Sequence, residues 1–268
     1  MNKKTIGWLI LGLVVLGAVG FAGYHIYQEN VIQSEKENKK ELNARLTDLY
    51  EDQTSGYFKA DISAEAFDEL ADEVKSQSGE SQTLEDIDQA KKNFKLQAEM
   101  NKLFEKDVLN GLDLSAHPVL KAPSEKDIKA LKAELEESSA KDKGWGQDIS
   151  MILGIAETQS KDFTNADADV SNLVNKGTSL TLTDYLEGVK TLAILPDGKF
   201  KEKLLGKLSP VKDQLTNENA GFAAKIQQSD TSMAAAEKSY QERQAKELAA
   251  RNKELTELKK ELAEKQAT

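Results

Sequence analysis

The chain has 268 residues, no Cys, two His, four Pro and a formal net charge of −10. Without Cys there is no disulfide framework, no thiolate nucleophile, no Cys-ligated zinc and no lipid-attachment cysteine. The acidic excess excludes the clustered Lys/Arg face that a nucleic acid requires. His25 and His117 are too few for a multi-His metal centre, and no Ser/Asp constellation can be assigned to them. We therefore expect no catalytic residues, no metal and no cofactor: not an enzyme.

Thr5 to Gln28 carries no formal charge if His25 is neutral, and Ile6 to Tyr27 is dominated by Ile, Leu, Val, Ala and Gly. Twenty-two helical residues reach about 33 Å, enough for a hydrocarbon core of ~30 Å. Trp8 lies near one end, Tyr24 and Tyr27 near the other, the depths amphipathic rings prefer. Lys3 and Lys4 precede the run and no Lys follows until Lys36, so the positive-inside rule places residues 1–5 in the cytoplasm and residues 30–268 outside. The competing reading is a cleaved signal peptide ending near Ala18-Val19-Gly20. Both export the rest of the chain. The small residues Gly12, Gly17, Gly20 and Gly23 are ordinary in such a segment, and no G-x-x-x-G is present.

Beyond the apolar segment the periodicity is helical, and the expected fold class is all-α. Residues 28–50 read as a polar helical stalk. Ser63 caps a helix over 64–76 with Phe67, Leu70, Ala71 and Val74 on one face. Thr83-Leu-Glu-Asp86 opens a long helix expected to reach Leu109 and end at Gly111. Residues 112–123 read as irregular, and Ser124 caps a helix over 125–138. Lys141-Asp-Lys-Gly-Trp-Gly146 reads as a break between two antiparallel bundles, at 28–140 and 147–228. In the second bundle we expect helices over 147–159, 165–176, 183–194 and 199–208. Ser209-Pro210 then starts a new helix carrying Val211, Leu215, Phe222 and Ile226.

Residues 229–268 read as one extended helix with a narrow stripe of Leu248, Leu255, Leu258 and Leu262. With Leu248, Leu255 and Leu262 at heptad position a, Arg251, Leu258 and Lys265 fall at d, and only one of those three is apolar. The stripe is that of an exposed single helix, with oligomerisation through a coiled coil as the alternative.

Asn165-Ala-Asp-Ala-Asp169 resembles a calcium loop, but Val170 stands where Gly is needed and Lys176 where Glu is needed. We read it as an acid-rich helix N-terminus. Trp145, between two glycines, is a candidate exposed anchor for a ligand or partner, or else closes the helical boundary. Tyr57 and Phe58, in a short apolar connector, are the other candidate contact residues.

The stretch LNARLTDLYEDQTSGYFKADISAEAFDELADEVKSQ, followed by KKNFKLQAEMNKLFEKDVLNGL, resembles the membrane-proximal extracellular domain of MapZ, the mid-cell-anchored division-site protein of streptococci and relatives. The resemblance rests on Leu49-Tyr50, Glu51-Asp52, Phe67 to Leu70 and Phe104-Glu105-Lys106, with a single span upstream, and covers about residues 6–140. It implies a helical pedestal on the outer membrane face. The acidic cytoplasmic segment that contacts FtsZ, the Ser-rich linker and the C-terminal peptidoglycan-binding domain have no match, so no functional residues carry over. A weaker internal echo links Asp68 to Lys75 with Asp184 to Lys190, each followed some thirty residues later by Phe.

The expectation is a single-pass, membrane-anchored extracellular scaffold at the cell envelope, linked to division or wall synthesis. Its partners would be the membrane and an envelope protein or cell-wall polymer, with no nucleic acid. A ligand-binding or sensor module around Trp145, and a cytoplasmic coiled-coil division regulator of opposite topology, are the alternatives.

Overall fold

The computed structural model describes residues 37–76 and 81–266. The expected cytoplasmic residues 1–5, the expected span over 6–27 and the start of the stalk lie outside the described residues. Among those described, no helix is long and apolar enough to cross a membrane. The all-α expectation holds in its coarse form: the body is mostly helical, with four very short strands.

Helix α1 (37–48) leads into β1 (Tyr50–Asp52), which pairs antiparallel with β2 (Tyr57–Phe58). Helix α2 (Ala64–Ser76) follows as expected and buries Phe67, Leu70 and Val74 against α3 (Ser81–Lys102). The ring of Phe58 organises this corner. It stacks on Tyr50 at 4.7 Å and meets Phe67, Phe94 and Trp145 edge-on at 5.6–6.2 Å, arrangements that favour the ring quadrupoles.

Helix α3 stops at Lys102, seven residues before the expected Leu109. The cause is Asn101. Its Oδ1 accepts hydrogen bonds from the N–H groups of Val108 and Leu109, and its Nδ2 donates to the Leu109 carbonyl. One amide thus satisfies a turn of backbone that helix continuation would otherwise occupy. Residues 109–114 form a hairpin, β3 (Leu109–Asn110) with β4 (Asp113–Leu114), where an irregular segment was expected to begin. Gly111 turns it at φ +58, a left-handed conformation that costs glycine little.

Helix α4 (Glu125–Glu137) buries Ile128, Leu131 and Leu135, as the spacing predicts. The expected break at 141–146 is instead the start of α5 (Gly144–Asn175), a single helix where two were expected. Its core-facing stripe runs from Ile149 through Ile152, Ala156, Phe163, Ala166 and Val170 to Leu173, interrupted by the buried Gln159 and Ser160. The acids at 165–169 therefore lie mid-helix, not at an N-terminus. Helix α5 touches α3 and α4 on one side and α6 and α7 on the other, so the segments read as two bundles share it.

A short 3-10 turn (Gly177–Ser179) leads to α6 (Leu182–Ala193). There Thr181 and Asp184 form a reciprocal capping box. Helix α7 (Lys199–Glu218) continues through Pro210 instead of restarting there. Proline forfeits the bond to the Gly206 carbonyl, but Leu204, Leu208 and Leu215 keep one buried face on both sides of it. The true break is Asn219, whose Oδ1 accepts the N–H of Gly221 and opens α8 (Ala220–Gln266).

At about 1.5 Å per residue, the 47 residues of α8 reach about 70 Å. It packs on α6 and α7 and then returns past α5 to the first half of the chain, where Lys259 pairs with Asp113 of β4 at 2.6 Å. Leu248 and Leu255 are 2% exposed. The stripe expected to face solvent or a second copy is covered by this chain's own core.

Candidate functional site

Three segments distant in sequence meet at Asp148. The residue sits on the apolar stripe of α5 and is 2% exposed. A carboxyl so buried must be fully hydrogen-bonded to be tolerated, and it is. The Tyr57 hydroxyl from β2 donates to Oδ2 at 2.5 Å, and Arg251 Nε from α8 donates to Oδ1 at 2.6 Å. Arg251 Nη2 also donates to the Tyr57 oxygen at 2.7 Å, and Nη1 to Glu254 at 2.6 Å. Burial, then the hydrogen bond to Asp148, push the Tyr57 phenol well above its ordinary value. Burial alone would lower Arg251, but its bonds to Asp148 and Glu254 outweigh that and raise it. Tyr57 is thus held protonated and Arg251 charged. The cluster is a latch between β2, α5 and α8, with its polar atoms engaged on one another.

Beside it stands a second network. Trp145 Nε1 donates to Gln97 Oε1 at 2.7 Å, and Gln97 Nε2 donates to the Leu109 carbonyl that Asn101 also holds. The backbone N–H of Trp145 donates to the Ser55 carbonyl at 2.9 Å. Gly146 lets the first turn of α5 press on the preceding turn, since a Cβ there would lie 2.4 Å from the carbonyl oxygens of Ala140 and Lys141.

The structure therefore gathers Trp145, Tyr57 and Phe58 into one corner, but as core. They are 0%, 1% and 1% exposed. Trp145 is not an exposed anchor, and the ligand cleft expected around it is filled by Phe58 and Gln97. The reason lies in the flanking glycines. They act as points of close contact rather than as a loop.

A third cluster joins the α6–α7 turn to α8. Lys201, nearly buried, donates to Glu237 at 2.8 Å and to Asp197 at 3.2 Å, and Gln241 donates to Asp197 at 3.1 Å. A hydrogen bond from Glu237 holds Asp197 below the usual carboxylate range. Burial, followed by that same bond, pushes Glu237 up.

Open surface lies elsewhere. A cavity of about 560 Å³ between α4 and α5 has Ile128 in its wall, with Lys129, Lys132 and Lys161 around Glu157. Lys132 and Lys161 both pair with Glu157, which largely neutralises it. A second, about 500 Å³, lies between α1, β1 and α3 and is mostly polar. A third, about 560 Å³, lies between α6 and α8 and is floored by Leu186, Ile194 and Met233. His117 is exposed on a loop. Among the described residues, no group of three or more His, Asp or Glu converges as a metal site.

Asp148, Arg251, Gln97 and Asn101 escaped sequence reasoning. Two of them left a signal. Asp148 occupies a position that the 3.6-residue period assigns to the core, and Arg251 interrupts the Leu248–Leu255 stripe at core register. Charges at such positions mark an intramolecular pair.

No family model matches the chain, and no curated protein or solved structure matches it.

Proposed function

We propose that this chain is a non-enzymatic, membrane-anchored scaffold on the outer face of a bacterial cell envelope, holding an envelope protein or wall polymer near sites of division or wall synthesis. The observation that carries this reading is the Tyr57–Asp148–Arg251 latch. The buried polar groups there are spent on bracing one helix against the rest of the body, which suits a rigid spacer. The apolar run of Ile6 to Tyr27 behind Lys3 and Lys4, and the resemblance to the MapZ pedestal, supply the anchor and its direction.

The lack of cysteine makes the test direct. Single thiols are introduced as Asn172→Cys, on an exposed position of α5, and as Asn2→Cys. A membrane-impermeant maleimide applied to intact cells should label the first at once and the second only after lysis. Labelling of Asn2→Cys alone in intact cells would reverse the topology. Labelling of neither before lysis would remove the extracellular reading. Cross-linking in intact cells should then recover an envelope protein or wall polymer, and recovery of neither would remove the scaffold.

A further inference from the structure

The α6–α8 cavity does not end with α6. A neighbouring cavity of about 410 Å³ continues along the same helix, walled on its other side by Met151, Gly154 and Ile155 of α5. The α8 residues that line the two include Lys225, Gln228, Ser232, Ala236, Tyr240 and Arg243, at steps of three or four, with Met233 beside them. That spacing defines one stripe on one flank of the helix. From Lys225 to Arg243 it runs about 28 Å, the length of a five-turn helix.

Chemistry distinguishes this seam from the rest of the surface. Its floor is apolar, and Ile194 is 49% exposed, the most exposed large hydrophobic side chain among the described residues. Its charged lining residues are cations: Lys190 on α6, and Lys225 and Arg243 on α8. Among the described residues none of the three makes an ion pair, and no carboxylate lines either cavity. On a chain of net charge −10 this is a local reversal of sign. The α4–α5 cavity lacks it, because Glu157 sits among its lysines.

We propose that this seam is a docking site for an amphipathic helix with acidic flanks. Two packed helices present a groove into which a third lays its apolar ridge. Lys190 and Lys225, on opposite walls, would meet carboxylates on both sides of that ridge, and Arg243 would meet one near its end. An acyl chain would need the floor but not cations spread along the seam, and an anionic lipid surface, which cations do attract, is one outcome of the test.

The proposal does not depend on topology and is tested separately from it. In the full chain Ser232→Cys supplies a single thiol for an environment-sensitive fluorophore. The probes are two 18-residue synthetic helices with Leu at i, i+3, i+4 and i+7, one flanked by Glu and one by Lys. The acidic peptide should shift the emission saturably, with the Lys peptide at least about fivefold weaker, as expected for loss of a few exposed charge pairs. Lys190→Glu with Lys225→Glu should invert that preference, and Ile194→Asp should weaken both peptides. These positions are exposed, and far-UV circular dichroism verifies that each variant is folded. Equal binding of the two peptides, or none of the acidic one, overturns the proposal. So does an emission shift caused by phosphatidylglycerol vesicles, or by raising the protein concentration, without peptide. Those results would assign the seam to a lipid surface or to a second copy.

Discussion

Residues 37–140 and residues 144–266 hold themselves together by different means. The first half has two hairpins, a nest of aromatic rings around Phe58, and buried amides that dictate where the backbone turns. The second half is made of long helices packed through Leu, Ile, Val and Ala, with one aromatic stack, Phe163 on Phe200 at 4.4 Å. Polar groups inside the first half specify a geometry, since each must find its partner. The apolar stripes of the second half specify a surface, and many registers along a helix would bury it. The Asp148 latch and the Lys201 cluster add what the second half otherwise lacks: a fixed position for α8.

The contrast can be broken first at Trp145, which α5 contributes to the aromatic corner of the first half. Trp145→Ala should destabilise the protein by about 4 kcal/mol, from cavity formation and the orphaned Gln97. Ala166→Gly, in the middle of α5, should cost only about 1 kcal/mol. Urea unfolding followed by circular dichroism compares them, and equal losses would erase the distinction between the halves.

Next comes the latch. Arg251→Met leaves Asp148 buried without its cation and should cost about 3 kcal/mol. Asp148→Leu and Tyr57→Phe combined with Arg251→Met should recover most of that loss, because an apolar trio leaves neither a charge nor a hydroxyl stranded. If the triple variant is no more stable than Arg251→Met, the latch is not the term that fixes α8.

A smaller effect is expected where the second half does use local polar chemistry. Thr181→Ala removes the cap of α6 and should cost about 1 kcal/mol in the same assay.

The smallest effect depends on pH. Glu237 has its folded-state pKa raised, so its contribution to stability is present below the ordinary carboxylate value and is lost as pH rises through the folded value. Asp197, lowered, contributes the opposite way. Its stability is present above its ordinary value and is lost as pH falls. Glu237→Gln keeps a donor for Asp197 but cannot ionise. Relative to the parent it should therefore be more stable at pH 7 than at pH 4, as urea midpoints at the two values would read. A difference independent of pH would show that Glu237 titrates alike in the folded and unfolded chain.

The helices α2, α4 and α6 were legible because their apolar residues recur at helical spacing, although Ser124, expected to cap α4, makes no side-chain cap bond. Three features were not. The end of α3 depends on Asn101 reaching backbone seven and eight residues ahead, and no local propensity encodes that reach. The continuity of α5 and α7 overrode Gly146 and Pro210, because burial on both sides outweighs one forfeited bond or one flexible residue. The latch joins residues up to 194 apart, so its members look like stray charges until the fold brings them together. The sequence left Trp145 open between an exposed anchor and a residue closing the helical boundary, and its burial excludes the first: two flanking glycines look alike in a loop and in a tight contact.

The return of α8 has a mechanical meaning. Its last turns pair with Asp113 and bring Lys265 toward Asp52, whose carboxyl, against opposing burial, is lowered by hydrogen bonds from Ser55 and Thr54 and, least, by Lys265. Residues 50–52 and 259–265 are thus neighbours, while the first turns of α8 lie far along its axis. A pull applied between α1 and the acidic-helix seam would load α8 lengthwise, in shear across Arg251, rather than peel helices away one at a time. The body closes on itself through α8, and Asp230, Glu237, Arg251 and Lys259 are polar points along that one helix at which it is fastened to the rest.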